Sequence, residues 1–397
     1  MNENTVVINF PTKTPHFDAP PPLALYVHIP WCVRKCPYCD FNSHEVRGAI
    51  PEDVYLDALR MDLEAALPDV WGRKIHSIFF GGGTPSLLSA DALDRLLTLL
   101  RTLLPVEPLA EITLEANPGT FEIEKFRGFR AAGVNRLSIG IQSFNPQHLQ
   151  RLGRIHNDNE AKRAVEIALT LFDNLNLDVM YGLPEQQIDE ALSDIQIAIA
   201  YDVPHISAYH LTLEPNTLFH AHPPNLPDDD CTATMQTEIE ARLTAAGYGH
   251  YETSAFAKKH HTSWHNLNYW HFGDYLGIGA GAHSKLTSRD HVTRSARYKQ
   301  PKMYMEQAVK GAAIQEQHDI AVTELGFEFM MNALRLTEGF PVALFPARTG
   351  LPLSVVENPL REAEAAGLIS RDVNHIRPTP LGQRFLNDLL QLFLARV

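Results

Sequence analysis

The sequence predicts an α/β protein with an open, partial (β/α)6 barrel followed by a winged-helix-like helical domain. Three observations support this prediction. Six apolar runs rich in β-branched residues recur between residues 23 and 213, and helix-like stretches separate them. This alternation fades after about residue 215, and the chain then ends in the pattern of a helix, a short β-hairpin and a helix. Strands that alternate with helices indicate parallel strands joined by crossover connections.

The six predicted strands cover residues 23–29, 75–80, 111–116, 134–141, 175–182 and 205–213. The stretches between them, such as "SADALDRLLTLLRTLL" and "IDEALSDIQIAIA", place apolar residues at helical spacing. The tail "LREAEAAGLISRDVNHIRPTPLGQRFLNDLLQLF" is the winged-helix-like part. Residues 322–397 carry seven Lys or Arg and eight Asp or Glu, so we expect this domain to pack on the barrel rather than to read DNA.

Four segments are expected along the chain. Residues 1–22 are Pro-rich and form a flexible lead, and residues 23–240 form the partial barrel. Residues 241–310 form a His-rich connecting region that contains the segment "WHNLNYW", and residues 311–397 form the C-terminal winged-helix-like domain.

Composition excludes several classes of protein. The net charge of −13 argues against non-specific binding of nucleic acid, which requires clustered Lys and Arg. No apolar run reaches the ~18 residues of a membrane span, which leaves only peripheral contact with a membrane open. The first residues lack the features of a secretory signal. We therefore expect a cytoplasmic protein, where closely spaced cysteines are metal or redox ligands more often than a disulfide.

Three of the four cysteines lie in "YVHIPWCVRKCPYCDF", directly after the first predicted strand. Cys32, Cys36 and Cys39 have the spacing C-x3-C-x2-C. A zinc site usually has four ligands, and His28 or His44 could supply the fourth. Three thiolates on an iron–sulfur cluster instead leave one iron open to a ligand that is not protein. We predict a [4Fe–4S] cluster that binds S-adenosylmethionine (SAM) through its amino and carboxylate groups, with zinc as the alternative.

Further polar motifs follow the other predicted strands. The turn "FFGGGTP" lets the backbone approach a ligand closely, because glycine has no Cβ. Glu115, Gln142 and Asp178 lie at later strand ends, and Arg154 follows in "RLGRIH". In a parallel α/β barrel this is the face where ligands bind. A cation such as Arg154 can bind the carboxylate of SAM through two hydrogen bonds.

With these motifs the sequence resembles the radical SAM superfamily. Within it, the sequence is most similar to oxygen-independent coproporphyrinogen III oxidases and their relatives, the HemW heme chaperones. The resemblance runs from Tyr26 to the winged tail. It implies a barrel of radical SAM type, with the cluster on the three cysteines. It also implies SAM contacts at Tyr26, Tyr38, Gly82, Gly83, Thr84, Glu115, Gln142, Arg154, Asp178, Thr212 and His283.

Two departures separate the chain from the oxidases. The oxidases carry a further cysteine two residues after the third cluster ligand, whereas here Cys39 is followed by Asp40 and Phe41. The oxidases also have a longer N-terminal segment, and only about 22 residues precede the first predicted strand here. Both departures match the heme chaperones, so we expect no coproporphyrinogen III oxidase activity.

A third motif favours the chaperones. "WHNLNYW" contains the H-N-x-x-Y pattern of heme-binding HemW proteins, with His265 and Tyr269 four residues apart. Both residue types ligate heme iron, and on a helix they would share one face. Trp264 and Trp270 offer flat apolar surface for a porphyrin. The alternative is an aromatic-rich helix that only packs against the barrel.

The resemblance therefore predicts a heme chaperone of porphyrin metabolism, with a [4Fe–4S] cluster, SAM and heme as cofactors. Its expected partners are heme-acceptor proteins and an electron donor, and it would be a monomer or a dimer. The alternative enzyme is an oxygen-independent coproporphyrinogen III oxidase, which would decarboxylate its substrate by radical chemistry. A third possibility is a zinc-dependent binding protein without redox chemistry.

Overall fold

The computed structural model describes residues 14–120 and 122–394, and in these residues the largest sheet has twelve strands. Six consecutive strands of this sheet pair in parallel. They are β1 (Leu23–Ile29), β4 (Ile75–Gly82), β5 (Val106–Ala116), β6 (Arg136–Gln142), β7 (Asn174–Tyr181) and β8 (His205–His210). Between β1 and β4, two short strands, β2 (Trp31–Cys32) and β3 (His44–Glu45), pair with each other.

Helices connect successive parallel strands. They are α1 (Glu52–Val70), α2 (Ala90–Leu103), α3 (Ile123–Ala132), α4 (Pro146–Arg151), α5 (Asp158–Leu171) and α6 (Ile188–Ala200), followed by α7 (Leu218–Ala221) and α8 (Asp229–Ala245). Their ends follow local chemistry: Asn157 and Glu160 form a capping box at the start of α5, and the Ser89 hydroxyl caps α2. Leucines at helical spacing bury one face of α2 against the sheet. The predicted open, partial (β/α)6 barrel is confirmed.

Residues 249–319 extend the sheet at both edges, whereas we expected residues 241–310 to be a connecting region and residues from 311 on to belong to the C-terminal domain. Beyond β8 lie the antiparallel strands β9 (Gly249–Glu252) and β10 (Ala255–Ala257). At the other edge β11 (Asp274–Ile278) pairs in parallel with β1, and β12 (His283–Thr287), β13 (Val292–Arg297) and β14 (Ile314–Asp319) follow antiparallel. This pairing satisfies backbone groups that β1 and β8 would otherwise leave at a sheet edge. Helices α9 (Trp264–Trp270) and α10 (Pro301–Ala308) lie between these strands in sequence.

The C-terminal part has its own hydrophobic core and three-stranded sheet. Its elements are α11 (Leu325–Ala333), β15 (Phe340–Pro341), α12 (Leu344–Thr349), α13 (Glu357–Ala365), β16 (Ile369–Arg371), β17 (His375–Pro378), α14 (Pro380–Arg384) and α15 (Leu386–Gln391). The predicted order of helix, hairpin and helix is confirmed by α13, the β16–β17 pair and α14. Short 3₁₀ turns also occur at Pro85–Leu87, Pro118–Thr120 and Leu353–Val356.

The described part of the N-terminal lead is packed, although we expected residues 1–22 to be flexible. Phe17 is buried in the C-terminal core, and its amide donates to the Arg289 carbonyl at 3.1 Å. The His16 amide donates to the Gly350 carbonyl at 3.2 Å. Burial of the Phe17 ring thus anchors this segment to the C-terminal core. Residues 1–13 lie outside the described residues, and no described helix is long and apolar enough to cross a membrane.

The strands alternate between an apolar outer face and a polar inner face. On β5, Ile112 and Leu114 belong to the main hydrophobic core, whereas Glu111 and Glu115 point into the barrel. Glu115 lies near the carboxyl end of β5 and Glu111 lies four residues closer to its amino end. The barrel interior is therefore polar at both levels, and each level holds a different set of predicted site residues.

Candidate functional site

A cavity of about 450 Å³ opens at the carboxyl ends of the parallel strands, and we call it the cysteine cavity. It brings together twelve of the predicted cluster and SAM residues. These are Cys32, Cys36, Tyr38, Cys39, Gly82, Gly83, Thr84, Glu115, Gln142, Arg154, Asp178 and Thr212. Because these residues come from seven separate segments, the fold itself assembles the site.

The cysteine loop starts at β2 and is folded on itself. Cys32 pairs in register with Glu45 of β3, and the Cys39 amide donates to the Cys36 carbonyl at 3.2 Å. All three thiols are free and partly buried. Burial raises the pKa of the Cys32 and Cys39 thiols, and a cationic metal centre would favour their thiolate forms.

The geometry does not favour a single zinc ion. Within the described ranges, no group of three or more His, Cys, Asp or Glu is placed to hold one metal ion. His28 uses both ring nitrogens, with Tyr26 Oη at 3.1 Å and the Asn42 carbonyl at 2.9 Å. His44 Nε2 lies 3.3 Å from both Asn42 Oδ1 and the Lys299 carbonyl. A [4Fe–4S] cluster fits the donor set better, because each thiolate binds a different iron.

A set of hydrogen bonds joins two of the cysteines to the neighbouring strand ends. The Thr84 hydroxyl donates to Cys32 Sγ at 3.5 Å and accepts from Asn117 Nδ2 at 2.9 Å. Arg154 donates to Asn117 Oδ1 at 2.6 Å and to Cys36 Sγ at 3.6 Å. Our sequence analysis did not identify Asn117, although it lies only two residues after Glu115, at the end of the same strand. It positions both Thr84 and Arg154.

The glycine turn at the end of β4 leaves no room for side chains. Gly82 has φ of +114°, which other residues rarely adopt. A Cβ on Gly83 would lie 2.5 Å from the Trp31 carbonyl oxygen. The Gly83 and Thr84 amides donate to the Ile29 and Trp31 carbonyls, which fastens the turn to the cysteine loop. The glycines thus serve the packing of the loop as well as access to the cavity.

Two carboxylates face the cavity without a salt bridge to Lys or Arg among the described residues, although the more distant Arg136 charge acts on the pKa of Asp178. Glu115 accepts one hydrogen bond, from the Gly82 amide at 3.2 Å. Burial, with the nearby Asp178 charge, raises the pKa of Glu115 to about 8. Asp178 accepts from Ser138 and Asn176, yet burial still raises its pKa. A cationic ligand with hydrogen-bond donors would relieve both groups, which is the chemistry that SAM offers.

The other predicted SAM residues fall into two groups. Gln142 lines the cavity from the end of β6 with φ of +68°, and Thr212 lines it from the segment after β8. Tyr26 and His283 do not line the cavity. The Tyr26 hydroxyl bonds His28 below the glycine turn, and His283 is exposed at the start of β12. Their predicted contacts with SAM stay predictions.

The heme motif forms helix α9, which we call the motif helix. Ser263 caps it, and Glu111 accepts hydrogen bonds from the Trp264 and His265 amides at 3.1 Å each. A carboxylate at a helix N-terminus is stabilised by the helix dipole. The motif helix therefore meets β5 at Glu111, four residues on the amino-terminal side of Glu115 and of the cysteine cavity.

His265 and Tyr269 do share one face of the motif helix, and that face points into the barrel. Their rings lie 5.1 Å apart, and His265 stacks on Phe79 at 4.9 Å. His265 is 2% exposed, and its Nδ1 lies 3.1 Å from the Ser77 hydroxyl. Its Nε2 is buried without a hydrogen-bond partner in the described part of the chain. Burial lowers the pKa of His265 to about 3, so the ring is neutral and its Nε2 can act as a metal ligand.

The two tryptophans of the motif differ in exposure. Trp264 is 47% exposed, whereas the Arg335 guanidinium covers Trp270 at 4.5 Å from its ring. Only Trp264 therefore offers open apolar surface of the kind we expected for a porphyrin.

Comparison with known families agrees with this geometry. The pattern of the radical SAM superfamily matches residues 26–196, and that of the HemN C-terminal domain matches residues 320–385. The solved structure of coproporphyrinogen III oxidase (HemN) from Escherichia coli superposes with a TM-score of 0.81. The alignment covers 95% of this chain and 91% of that chain at 24% identity, which shows a common fold.

Curated relatives are much closer in sequence. The protein named heme chaperone HemW from Escherichia coli K12 is 50% identical over 377 residues, which cover 94% of this chain and 99% of the relative. The protein of the same name from Haemophilus influenzae is 49% identical, over 94% and 98% of the two chains. That from Bacillus subtilis is 33% identical, over 94% and 99%. This chain therefore belongs to the HemW heme chaperone family of the radical SAM superfamily.

Proposed function

We propose that this protein holds a [4Fe–4S] cluster and SAM in the cysteine cavity, binds heme, and delivers heme to acceptor proteins. The observation that carries the proposal is that three thiols and two carboxylates without a salt bridge in the described residues line one cavity at the strand ends. The names of the similar proteins support the heme part.

The residues of the cavity fit a cluster with one open iron. Cys32, Cys36 and Cys39 supply three thiolates, and the histidines nearby are engaged elsewhere. When bound, such a cluster can supply an electron to the sulfonium of SAM. Hydrogen bonds from Thr84 and Arg154 to the sulfurs would favour the thiolate forms.

The same cavity fits SAM beside the cluster. Glu115 and Asp178 provide two carboxylates for the ammonium and ribose hydroxyl donors. Arg154 supplies a guanidinium for the SAM carboxylate, and Gln142 and Thr212 add neutral polar groups on the lining. These roles rest on the chemistry of each side chain at its place in the cavity.

Heme would bind at the motif helix, with His265 as the iron ligand and Tyr269 beside it. Because His265 is buried and stacked on Phe79, the iron can reach Nε2 only after the motif helix moves away from that ring. Exposed Trp264 provides apolar surface at the helix start. We therefore propose that the motif helix opens when heme binds and closes again when heme is released.

The rival function is decarboxylation of coproporphyrinogen III. The cavity mouth carries Asp40 and Phe41, both exposed, where the oxidases resembled by this sequence have a further cysteine. We propose that the chain lacks this activity. We further propose that its partners are heme-acceptor proteins and an electron donor, and that it binds no nucleic acid. We place it in the cytoplasm as a monomer or a dimer.

One paired experiment tests the function. The anaerobically reconstituted protein is mixed with heme in one tube, and with coproporphyrinogen III, SAM and reductant in another. We expect a Soret band and transfer of heme to an apo-hemoprotein in the first tube, and no decarboxylated product in the second. Robust decarboxylation without heme binding would replace the chaperone function by the oxidase function.

A further inference from the structure

A chain of buried and partly buried hydrogen bonds runs through the barrel interior from the cysteine cavity toward the motif helix. At the cavity end, Asn176 Nδ2 donates to Asp178 Oδ1 at 2.8 Å and to Ser138 Oγ at 2.7 Å. The Ser138 hydroxyl donates to Asp178 Oδ2 at 3.0 Å. On the far side of the amide, His205 Nδ1 lies 2.6 Å from Asn176 Oδ1. Asp178 is thereby tied to a residue on the next strand.

The chain continues to the first turn of the motif helix. His205 Nε2 lies 2.9 Å from the Tyr251 hydroxyl. That hydroxyl accepts from the Ser263 amide at 3.3 Å. Ser263 caps the motif helix, since its own hydroxyl accepts from the Asn266 amide at 3.3 Å. The cap and Asp178 are thus joined through Tyr251, His205 and Asn176.

The partners set the direction of every bond in this chain. Asn176 turns its amide nitrogen to the Asp178 carboxylate, so its oxygen must accept from His205. His205 therefore carries its hydrogen on Nδ1 and accepts at Nε2 from the Tyr251 hydroxyl. Each donor points from the helix cap toward Asp178. Hydrogen bonds aligned in this way strengthen one another in a low-dielectric interior.

Three members of the chain are buried from water, whereas Asp178 and Tyr251 are partly buried. His205 is fully buried, Asn176 is 2% exposed, and Ser263 is fully buried. Burial also lowers the pKa of His205 well below its usual value, so the ring stays neutral and keeps one donor and one acceptor. A shift of Asp178 therefore disturbs Asn176, whose oxygen accepts from both His205 and, at 3.0 Å, the Ser207 hydroxyl, and a broken bond to the buried His205 is costly.

We propose that this chain couples the SAM site to the motif helix, with His205 and Tyr251 as positioning residues. Neither residue belongs to the proposed heme motif or to the predicted cluster and SAM residues. SAM bound at Asp178 favours the arrangement in which the carboxylate accepts from Asn176 and Ser138, and the chain transmits this order to the helix cap. This proposal rests on the proposed function. By linkage, SAM then raises heme affinity and heme raises SAM affinity by the same factor.

The test uses Tyr251→Phe, which removes the central hydroxyl and keeps the ring. Its matched control is Tyr248→Phe, which removes another buried hydroxyl, one that donates to the Val203 carbonyl at 2.6 Å outside the chain. Deuterium uptake is followed in a peptide covering residues 264–270 of the reconstituted full-length protein, with and without SAM. Heme affinity is measured by Soret titration under the same two conditions.

In the wild type and in Tyr248→Phe, SAM should slow exchange in the motif helix and raise heme affinity about fivefold or more. In Tyr251→Phe both effects should disappear, while SAM affinity changes by less than about threefold. SAM-independent exchange in the wild type, or equal coupling in the two variants, overturns the coupling. Loss of heme binding with SAM-dependent exchange intact refutes the proposed function and leaves the coupling standing. Failure to bind SAM refutes both.

Discussion

The cysteine cavity and the motif helix occupy two ends of one barrel interior, and the buried carboxylates at these ends differ in how many hydrogen bonds they accept. Glu115, at the cavity end of β5, accepts a single hydrogen bond from the Gly82 amide, and burial raises its pKa to about 8. Glu111, four residues earlier on the same face, accepts from three groups in the cap and first turn of the motif helix. Glu115 can therefore accept hydrogen bonds from a ligand, whereas Glu111 already accepts its hydrogen bonds from within the protein.

This difference separates a preformed site from a closed one. The cavity keeps open volume and has two carboxylates without a salt bridge among the described residues, so a cationic ligand can enter with little rearrangement. The motif helix packs its histidine against Phe79 and Ser77, so a ligand there must first displace existing contacts. We therefore expect substitutions in the cavity to act directly on binding, and binding at the motif helix to depend on its opening.

The largest expected effect is at the cysteines. Replacing Cys32, Cys36 or Cys39 by Ala should abolish the cluster, because two thiolates cannot hold it against solvent. Iron analysis after anaerobic reconstitution measures this. Cys231→Ala, on helix α8 outside the cavity, is the control and should keep full iron. Full iron in any of the first three variants would contradict the ligand assignment.

The next largest effect is expected at the motif helix. His265→Ala should lose or strongly shift the heme Soret band, while cluster and SAM binding persist, because the two sites lie at different ends of the strands. Tyr269→Phe should act more weakly if its phenol only assists the ligand. Parallel heme and SAM titrations of both variants measure the split. An unchanged Soret band in both would move the heme site away from the motif helix.

A smaller effect is expected at the SAM carboxylate. Asp178→Ala should weaken SAM by about 1.5–3 kcal/mol, or about 10–150-fold, the usual loss for a hydrogen bond to a charged group. Calorimetry measures this, and iron content should stay normal because Asp178 touches no cysteine. Arg154→Ala should weaken SAM similarly but also disturb the cluster, since Arg154 donates to Cys36 Sγ. Wild-type SAM affinity in both variants would refute the mapping.

The smallest effect is a pH dependence of ligand affinity, which only the cysteine cavity should show. The folded protein favours protonated Glu115, because its pKa is raised to about 8, whereas a cationic ligand favours the ionised form. SAM affinity should therefore rise about tenfold between pH 7 and 9 as Glu115 ionises. Calorimetry across this range measures the rise, and Glu115→Gln should flatten it.

The same titration has a consequence for stability. Between the unfolded pKa of Glu115 and about 8, the folded protein binds more protons at this group, so its contribution to the unfolding free energy falls as pH rises. The pKa of His265 is lowered to about 3, so the motif helix should not respond between pH 7 and 9. A heme affinity that changes between pH 7 and 9 in the wild type, measured without SAM, would contradict this separation.

Much of the fold and of the cavity could be predicted from the sequence, because local spacing carries the information. Alternating strand and helix patterns predict the parallel barrel, since each crossover brings consecutive strands side by side. Parallel strands place their carboxyl ends on one face, so motifs such as Glu115 and Asp178 converge without any knowledge of distances. The spacing of the three cysteines predicts one loop for the same reason, and the i, i+4 spacing of His265 and Tyr269 predicts their common face.

Tertiary structure decided what depends on residues far apart in the chain. The sequence could not show that residues 241–310 complete the sheet, because strand β11 pairs with β1 across about 250 residues. Nor could it show that His265 turns inward, a result of contacts with Ser77 and Glu111 more than 150 residues away. The exclusion of Tyr26 and His283 from the cavity lining has the same origin. Helical and strand periodicity determine which residues share a face, whereas packing between distant segments determines what that face meets.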